Sequence, residues 1–189
     1  ADLTAHNLNV VYSPIFNARH EILQRRAQLL KVGRVDDDRY EFDFSDVRRW
    51  IGLAKKHGAE YVEWTHFFTP APTSGRHPQR IFERWDSLGE LLWPADAPAI
   101  GTIYRRFLEQ FLPQFKQVLQ EEAMLERSLF HCGDEPEADV QMADYRKART
   151  MLRELAPWIE VIDAMSDVRF ASEKFTDTHT GAVQAADID

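Results

Sequence analysis

Residues 128–140, SLFHCGDEPEADV, contain two adjacent carboxylates, Asp134 and Glu135, at the end of a short apolar run. In a regular strand neighbouring side chains point to opposite faces, so the pair could not serve one substrate. Gly133 before the pair and Pro136 after it mark a turn, and a turn can swing both acids toward one space. Two carboxylates held close and partly desolvated do not both ionise easily. One keeps its proton toward neutral pH beside a fixed negative charge. That combination suits cleavage of a glycosidic bond, in which an acid protonates the leaving oxygen while an anion supports developing positive charge. The competing reading is an acidic first turn before a helix, where negative charge is also favourable.

Other residues could complete such a site. His66 closes an aromatic-rich run, Ala59–Phe68, and His131 precedes the acid pair by three positions. Asp163 interrupts the apolar VIDAM and, if buried, requires partners. Trp85, next to Asp86 in a long proline-containing loop, offers an aromatic face on which a pyranose ring can stack. His77 in the same loop and Tyr12 at the end of the first apolar run are weaker candidates. Each has a bland alternative as a packed or hydrogen-bonded structural residue. His131, Cys132 and Asp134 match no standard metal spacing, and neither a metal nor a cofactor is expected. Phosphate-binding glycine loops and the G-x-S-x-G elbow are absent. His20-Glu21 lacks the second histidine of a zincin motif, because Gln24 stands in its place.

The elements that must position these residues follow from periodicity. Leu8–Pro14 reads as a buried strand, and the segment after it, from Asn17, as the start of a helix. Gln28–Val32 and Tyr40–Phe44 read as a hairpin around the solvated turn Asp36-Asp37-Asp38. Residues 45–58 form a helix, with Ser45 as N-cap and Gly58 as terminator. Ala59–Phe68 is a strand, followed by a loop from Thr69 to about Gly101. A second helix follows, with Ile103, Phe107, Phe111, Phe115 and Val118 along one side and a kink expected at Pro113. A strand at Arg127–Cys132, a helix closed by Pro157 and a strand over residues 159–167 complete the pattern. Alternating strands and helices imply a parallel sheet. A full eight-stranded barrel takes about 250 residues. Four βα strands plus a hairpin therefore leave a small open α/β domain or an incomplete barrel.

Composition sets outer bounds. The 189 residues are 44% hydrophobic and 12% aromatic, a globular balance. A net charge of −8 argues against nucleic acid or an anionic membrane as partner. The single cysteine, Cys132, excludes an internal disulfide framework. With no leader-like segment at the start of the chain, it leans slightly toward a cytoplasmic setting.

FHCGDEP, followed by YRKARTMLRELAP and VIDAMSD, resembles the catalytic domain of glycoside hydrolase family 123 and the wider set of proteins carrying domain of unknown function 4091. RYEFDFSDVRRWIGLAKKHGAEYVEWTHFF and RHPQRIFERWDSLG resemble the segments preceding it in those proteins, so the similarity runs in order over residues 6–175. The resemblance implies a (β/α)8 TIM-barrel-type fold, with residues 1–175 as part of the barrel; the pattern itself fades after Phe170, and residues 176–189 read as a loose tail. It implies hydrolysis of a terminal β-linked N-acetylhexosamine, N-acetylgalactosamine foremost. Glu135 would be the acid and then the base, and Asp134 would steady the 2-acetamido group as its oxygen attacks C1. A carbohydrate is the implied partner. Gly133 stands where a serine is common in the family, and the last barrel strands are not represented in the chain. Two alternatives stay open: a non-catalytic carbohydrate-binding relative, and a double-displacement enzyme with Glu63 or Asp163 as nucleophile.

Overall fold

The computed structural model describes residues 8–16, 28–69, 77–78, 81–83, 90–94, 97–133, 139–165 and 180–181. The helical start expected after Asn17 lies outside them.

At the centre is a parallel sheet. β1 (Val10–Ser13) pairs with β4 (Tyr61–Trp64), and β4 pairs with β7 (Ser128–Leu129). A further parallel bridge, Phe130 to Val161, brings in the segment after the last helix. The four chain segments thus lie side by side in sequence order. β2 (Lys31–Asp36) and β3 (Arg39–Asp43) form an antiparallel hairpin beside the sheet. The hairpin strands reach further toward the turn than periodicity indicated. Val35 and Asp36 are still extended, leaving Asp37-Asp38 as a two-residue turn.

α1 (Ser45–Lys56) and α2 (Thr102–Glu121) pack on one face of the sheet. The α1 residue Trp50 donates its indole N–H to Ser13 Oγ at 2.6 Å. The α2 residue Phe115 meets Trp64 edge-on at 5.1 Å. Val62 and Trp64 are fully buried on this side, whereas Tyr12 and Tyr61 on the other are 43% and 37% exposed. Parallel sheets are ordinarily covered on both faces, so this second face is the unusual one.

Three sequence expectations need correction. Ser45 is the first helical residue rather than the cap. Phe44 occupies the N-cap position without a side-chain bond, and Asp43 Oδ1 accepts the Ser45 N–H at 2.8 Å. Ile103 is 52% exposed. The buried stripe of α2 instead runs through Tyr104, Phe107, Leu108, Phe111, Leu112, Phe115, Val118 and Leu119. Helical spacing admits either neighbour at the first turn, and Tyr104 wins because its hydroxyl donates to the Phe67 carbonyl. The run Ala59–Phe68 is not one strand. β4 stops at Trp64, and Phe68–Thr69 (β5) pairs antiparallel with His77–Pro78 (β6).

α2 continues from Thr102 to Glu121 across Pro113, which sits on its exposed side. Phe107, Phe111 and Phe115 stack along it with centroids 5.6 and 5.1 Å apart. Such pairs contribute about 0.5–1.5 kcal/mol each beyond area burial. α3 (Asp139–Leu155) leads to Trp158, which packs edge-on against Phe130 at 5.6 Å. In the segment read as a tail, Thr180–Gly181 (β9) pairs in parallel with Ala164–Met165 (β8). Among the described residues no helix is long and apolar enough to cross a membrane.

Candidate active site

The sheet's C-terminal edge gathers a compact polar cluster. Tyr12 and Glu63 are register partners on β1 and β4, and Glu63 is in turn the partner of Leu129 on β7. Alternation sends Glu63 to the open face because Val62 and Trp64 take the helix side. Two residues beyond Leu129 the same alternation brings His131 toward Glu63. The chains stay in step here, for Phe67 N–H and Phe68 N–H donate to the carbonyls of His131 and Cys132 at 3.0 and 2.9 Å.

His131 is 9% exposed and lies between two carboxylates. Nδ1 is 3.1 Å from Asp163 Oδ1 and Nε2 is 2.9 Å from Glu63 Oε1. Carboxylates only accept, so both contacts require N–H groups, and the ring carrying both is the imidazolium. Burial alone would pull its pKa down. The hydrogen bonds and charges of Asp163 and Glu63 outweigh it and push the pKa up to about 9. The His131 hydrogen bond holds Glu63 below the usual carboxylate range against the opposing effect of burial. Tyr12 is shifted upward, first by burial and then by the Glu63 charge.

Asp163, 1% exposed, is the hub. Besides His131, its Oδ2 accepts the backbone N–H of Cys132 at 3.1 Å, that of Gly133 at 3.0 Å and the Tyr145 hydroxyl at 2.6 Å. Tyr145 comes from α3 and is fully buried. Burial and the Asp163 charge raise its pKa, so it stays a donor.

His66 follows the end of β4, and its ring lies 4.5 Å from that of His131, tilted by 31°. His66, His131 and Asp163 each bring one ligand atom within 4.8 Å of the others. A metal there would have to displace the protons through which His131 holds Glu63 and Asp163. Of the sequence candidates, His66, His131 and Asp163 converge, and Tyr12 joins them through Glu63. His77 contributes a backbone pairing with Thr69. Asp134, Glu135 and Trp85 lie outside the described residues, as does the side chain of His77.

Two members of the cluster were not singled out as site residues by pattern. Pattern offers Glu63 only as an alternative nucleophile, although it is the one charged residue of YVEW, at a half-buried position of a parallel strand. Tyr145 had no visible signal, since helical spacing places it in the core without revealing what its hydroxyl meets.

The charge pattern fixes a pH dependence of stability. His131 has an ordinary pKa of 6.5 and a folded value of about 9. Its contribution is therefore fully present below pH 6.5 and is lost as pH rises through 9, an effect on the order of 3 kcal/mol. Glu63, whose ordinary value is 4.5, contributes above that pH and loses its share as pH falls. Thermal denaturation is expected to show wild-type Tm falling about 5–10 °C from pH 6.5 to 9 relative to His131→Gln. Parallel curves for the two proteins would rule out the buried imidazolium.

Comparison with known proteins places the chain. Residues 1–188 match the family described as Glycoside hydrolase 123, catalytic domain. No curated protein matches the sequence. Among solved structures, a family 123 glycoside hydrolase from Clostridium perfringens, studied for glycolipid glycan hydrolysis, is similar with a TM-score of 0.64 at 15% identity. The match covers 92% of this chain and 30% of that one, so the likeness is one of fold over part of a longer protein. The chain belongs to glycoside hydrolase family 123 and carries sequence of its catalytic domain.

Proposed function

We propose that this chain bears the catalytic centre of a glycoside hydrolase that releases a terminal β-linked N-acetylhexosamine, N-acetylgalactosamine foremost, with retention of configuration. The observation that carries the reading is the path of the chain at the sheet's C-terminal edge. After β7, Cys132 and Gly133 are clamped in place by Asp163, and Asp134-Glu135 follow them in the sequence. In parallel α/β folds that edge is where active sites form.

The sheet supports a barrel as its setting. Four segments in sequence order, with α1 and α2 on one face, differ from a doubly wound sheet, which carries helices on both faces. The open face, with Tyr12, Tyr61 and Glu63, is then the barrel interior. Further strands of a (β/α)8 barrel would cover it.

In the proposed mechanism the substrate supplies its own nucleophile. The 2-acetamido carbonyl oxygen attacks C1 as the C1–O glycosidic bond breaks, and the Glu135 carboxyl passes its proton to the departing oxygen. Asp134 accepts a hydrogen bond from the acetamido N–H and stabilises the positive charge of the oxazolinium. The Glu135 carboxylate then takes a proton from water, whose oxygen attacks C1 and reopens the ring. The product keeps the β configuration after two inversions.

An aryl β-N-acetylgalactosaminide and the matching β-galactoside separate the possibilities, assayed on the full-length protein. Turnover of the acetamido sugar alone is expected. Equal turnover of both would move the nucleophile to the protein, with Glu63 the first suspect. Sugar binding without turnover would make the chain a carbohydrate-binding relative.

A further inference from the structure

We propose that Asp163 is a positioning residue for the Asp134–Glu135 pair, acting through the backbone amides of the two residues that precede it. The inference rests on the glycosidase reading above and adds to it a device that sets where the acids leave the sheet.

The geometry is specific. One buried carboxylate gathers four donors: two consecutive amides, an imidazole N–H and a phenol. Hydrogen bonds to an ionised acceptor are about twice as strong as neutral ones. The donors come from two parts of the chain: the consecutive residues His131, Cys132 and Gly133, and Tyr145 on α3. His131 also reaches across to Glu63 on β4. Asp163 itself follows the neighbouring parallel segment through the Phe130–Val161 bridge, where Ile162 N–H donates to the Phe130 carbonyl at 3.0 Å.

A purely structural buried aspartate could accept from any nearby groups. This one takes the N–H groups of Cys132 and Gly133, and Gly133 also bridges to Phe68 on its other side. The backbone is therefore gripped from both flanks at the last residue before Asp134. Anchoring Gly133 fixes the backbone to which the acid pair is covalently joined. Misplacing a catalytic group by about 1 Å can cost about 100-fold in rate. A clamp at this point acts on both acids together while touching neither substrate nor the reacting atoms.

Asp163→Asn tests the idea. It keeps the shape but removes the charge and offers only one acceptor oxygen. The full-length variant is expected to lose about 10–100-fold in kcat on an aryl β-N-acetylgalactosaminide, with KM held within about threefold. Hydrogen exchange at the Cys132 and Gly133 amides should accelerate in parallel. If Asp163→Asn does not fold, Tyr145→Phe carries the test, since it leaves the carboxylate charged but unties it from α3. About a 3–10-fold loss in kcat at unchanged KM is then expected. A lower Tm with kcat per folded molecule unchanged would reduce Asp163 to a structural residue and overturn the proposal. Unchanged amide exchange in Asp163→Asn would overturn the clamp itself, whatever the activity. Failure of the wild type to turn over any acetamido sugar would instead strike the glycosidase reading, and with it the catalytic role of the clamp.

Discussion

Glu135→Gln is expected to lower kcat/KM by about 1,000-fold on an N-acetylgalactosaminide with a poor leaving group, such as a natural glycan linkage. The amide has no proton to give, so the departing alkoxide must leave unprotonated. An activated aryl glycoside, whose phenolate is stable alone, should suffer much less in the bond-breaking step. The diagnostic is thus the slope of log kcat/KM against leaving-group pKa, shallow in the wild type and steep in the variant. Substrate binding should persist, because glutamine keeps the size and most of the hydrogen-bonding capacity. A variant that retains the wild-type rate on the poor leaving group would remove Glu135 from the role of acid.

Asp134→Asn should behave differently. Its carboxylate is proposed to face the acetamido N–H, where positive charge grows as the oxazolinium forms. Asparagine can still accept a hydrogen bond, but it brings no negative charge and can turn its amide N–H toward the same group. Removing one preorganised electrostatic partner of a transition state costs about 100- to 1,000-fold. Here the loss should be the same for good and poor leaving groups, since cyclisation precedes or accompanies departure in either case. The contrast between a leaving-group-dependent defect at 135 and an independent one at 134 assigns the two roles separately. If both variants show the same leaving-group dependence, the division of labour is wrong even though both residues matter.

The sheet was readable in the sequence because its strands are short apolar runs punctuated by Gly, Pro and helix caps, each with a local cause. Val62 and Trp64 announce their burial by alternation, and the α2 stripe by helical spacing. One departure from the pattern is local, and the others fall where tertiary contacts decide. Ser45 looks like a cap, but Asp43 satisfies its N–H from two residues upstream. Ile103 and Tyr104 compete for one turn, and a distant carbonyl at Phe67 selects Tyr104. The strand through Ala59–Phe68 breaks after Trp64, where the chain changes partners from β1 toward the His131–Gly133 segment.

The site was legible in a similar, partial way. Asp163 and His131 stood out as polar residues in apolar runs, and the structure joins them. That Asp163 grips the backbone before the acid pair is a contact between positions 30 and 31 residues apart, which no local pattern encodes. The adjacency of Asp134 and Glu135 is itself the strongest sequence signal. In the proposed reading its meaning comes from the chemistry of a substrate that carries its own nucleophile.

That last point is open to direct measurement. A series of aryl β-N-acetylgalactosaminides with mono-, di- and trifluorinated acetamido groups makes the carbonyl oxygen progressively less nucleophilic with little change in size. Substrate assistance predicts that log kcat/KM falls steadily with each added fluorine in the wild-type protein. A flat response, with the trifluoroacetamide turned over as fast as the parent, would show that the acetamido oxygen does not attack and would contradict the account.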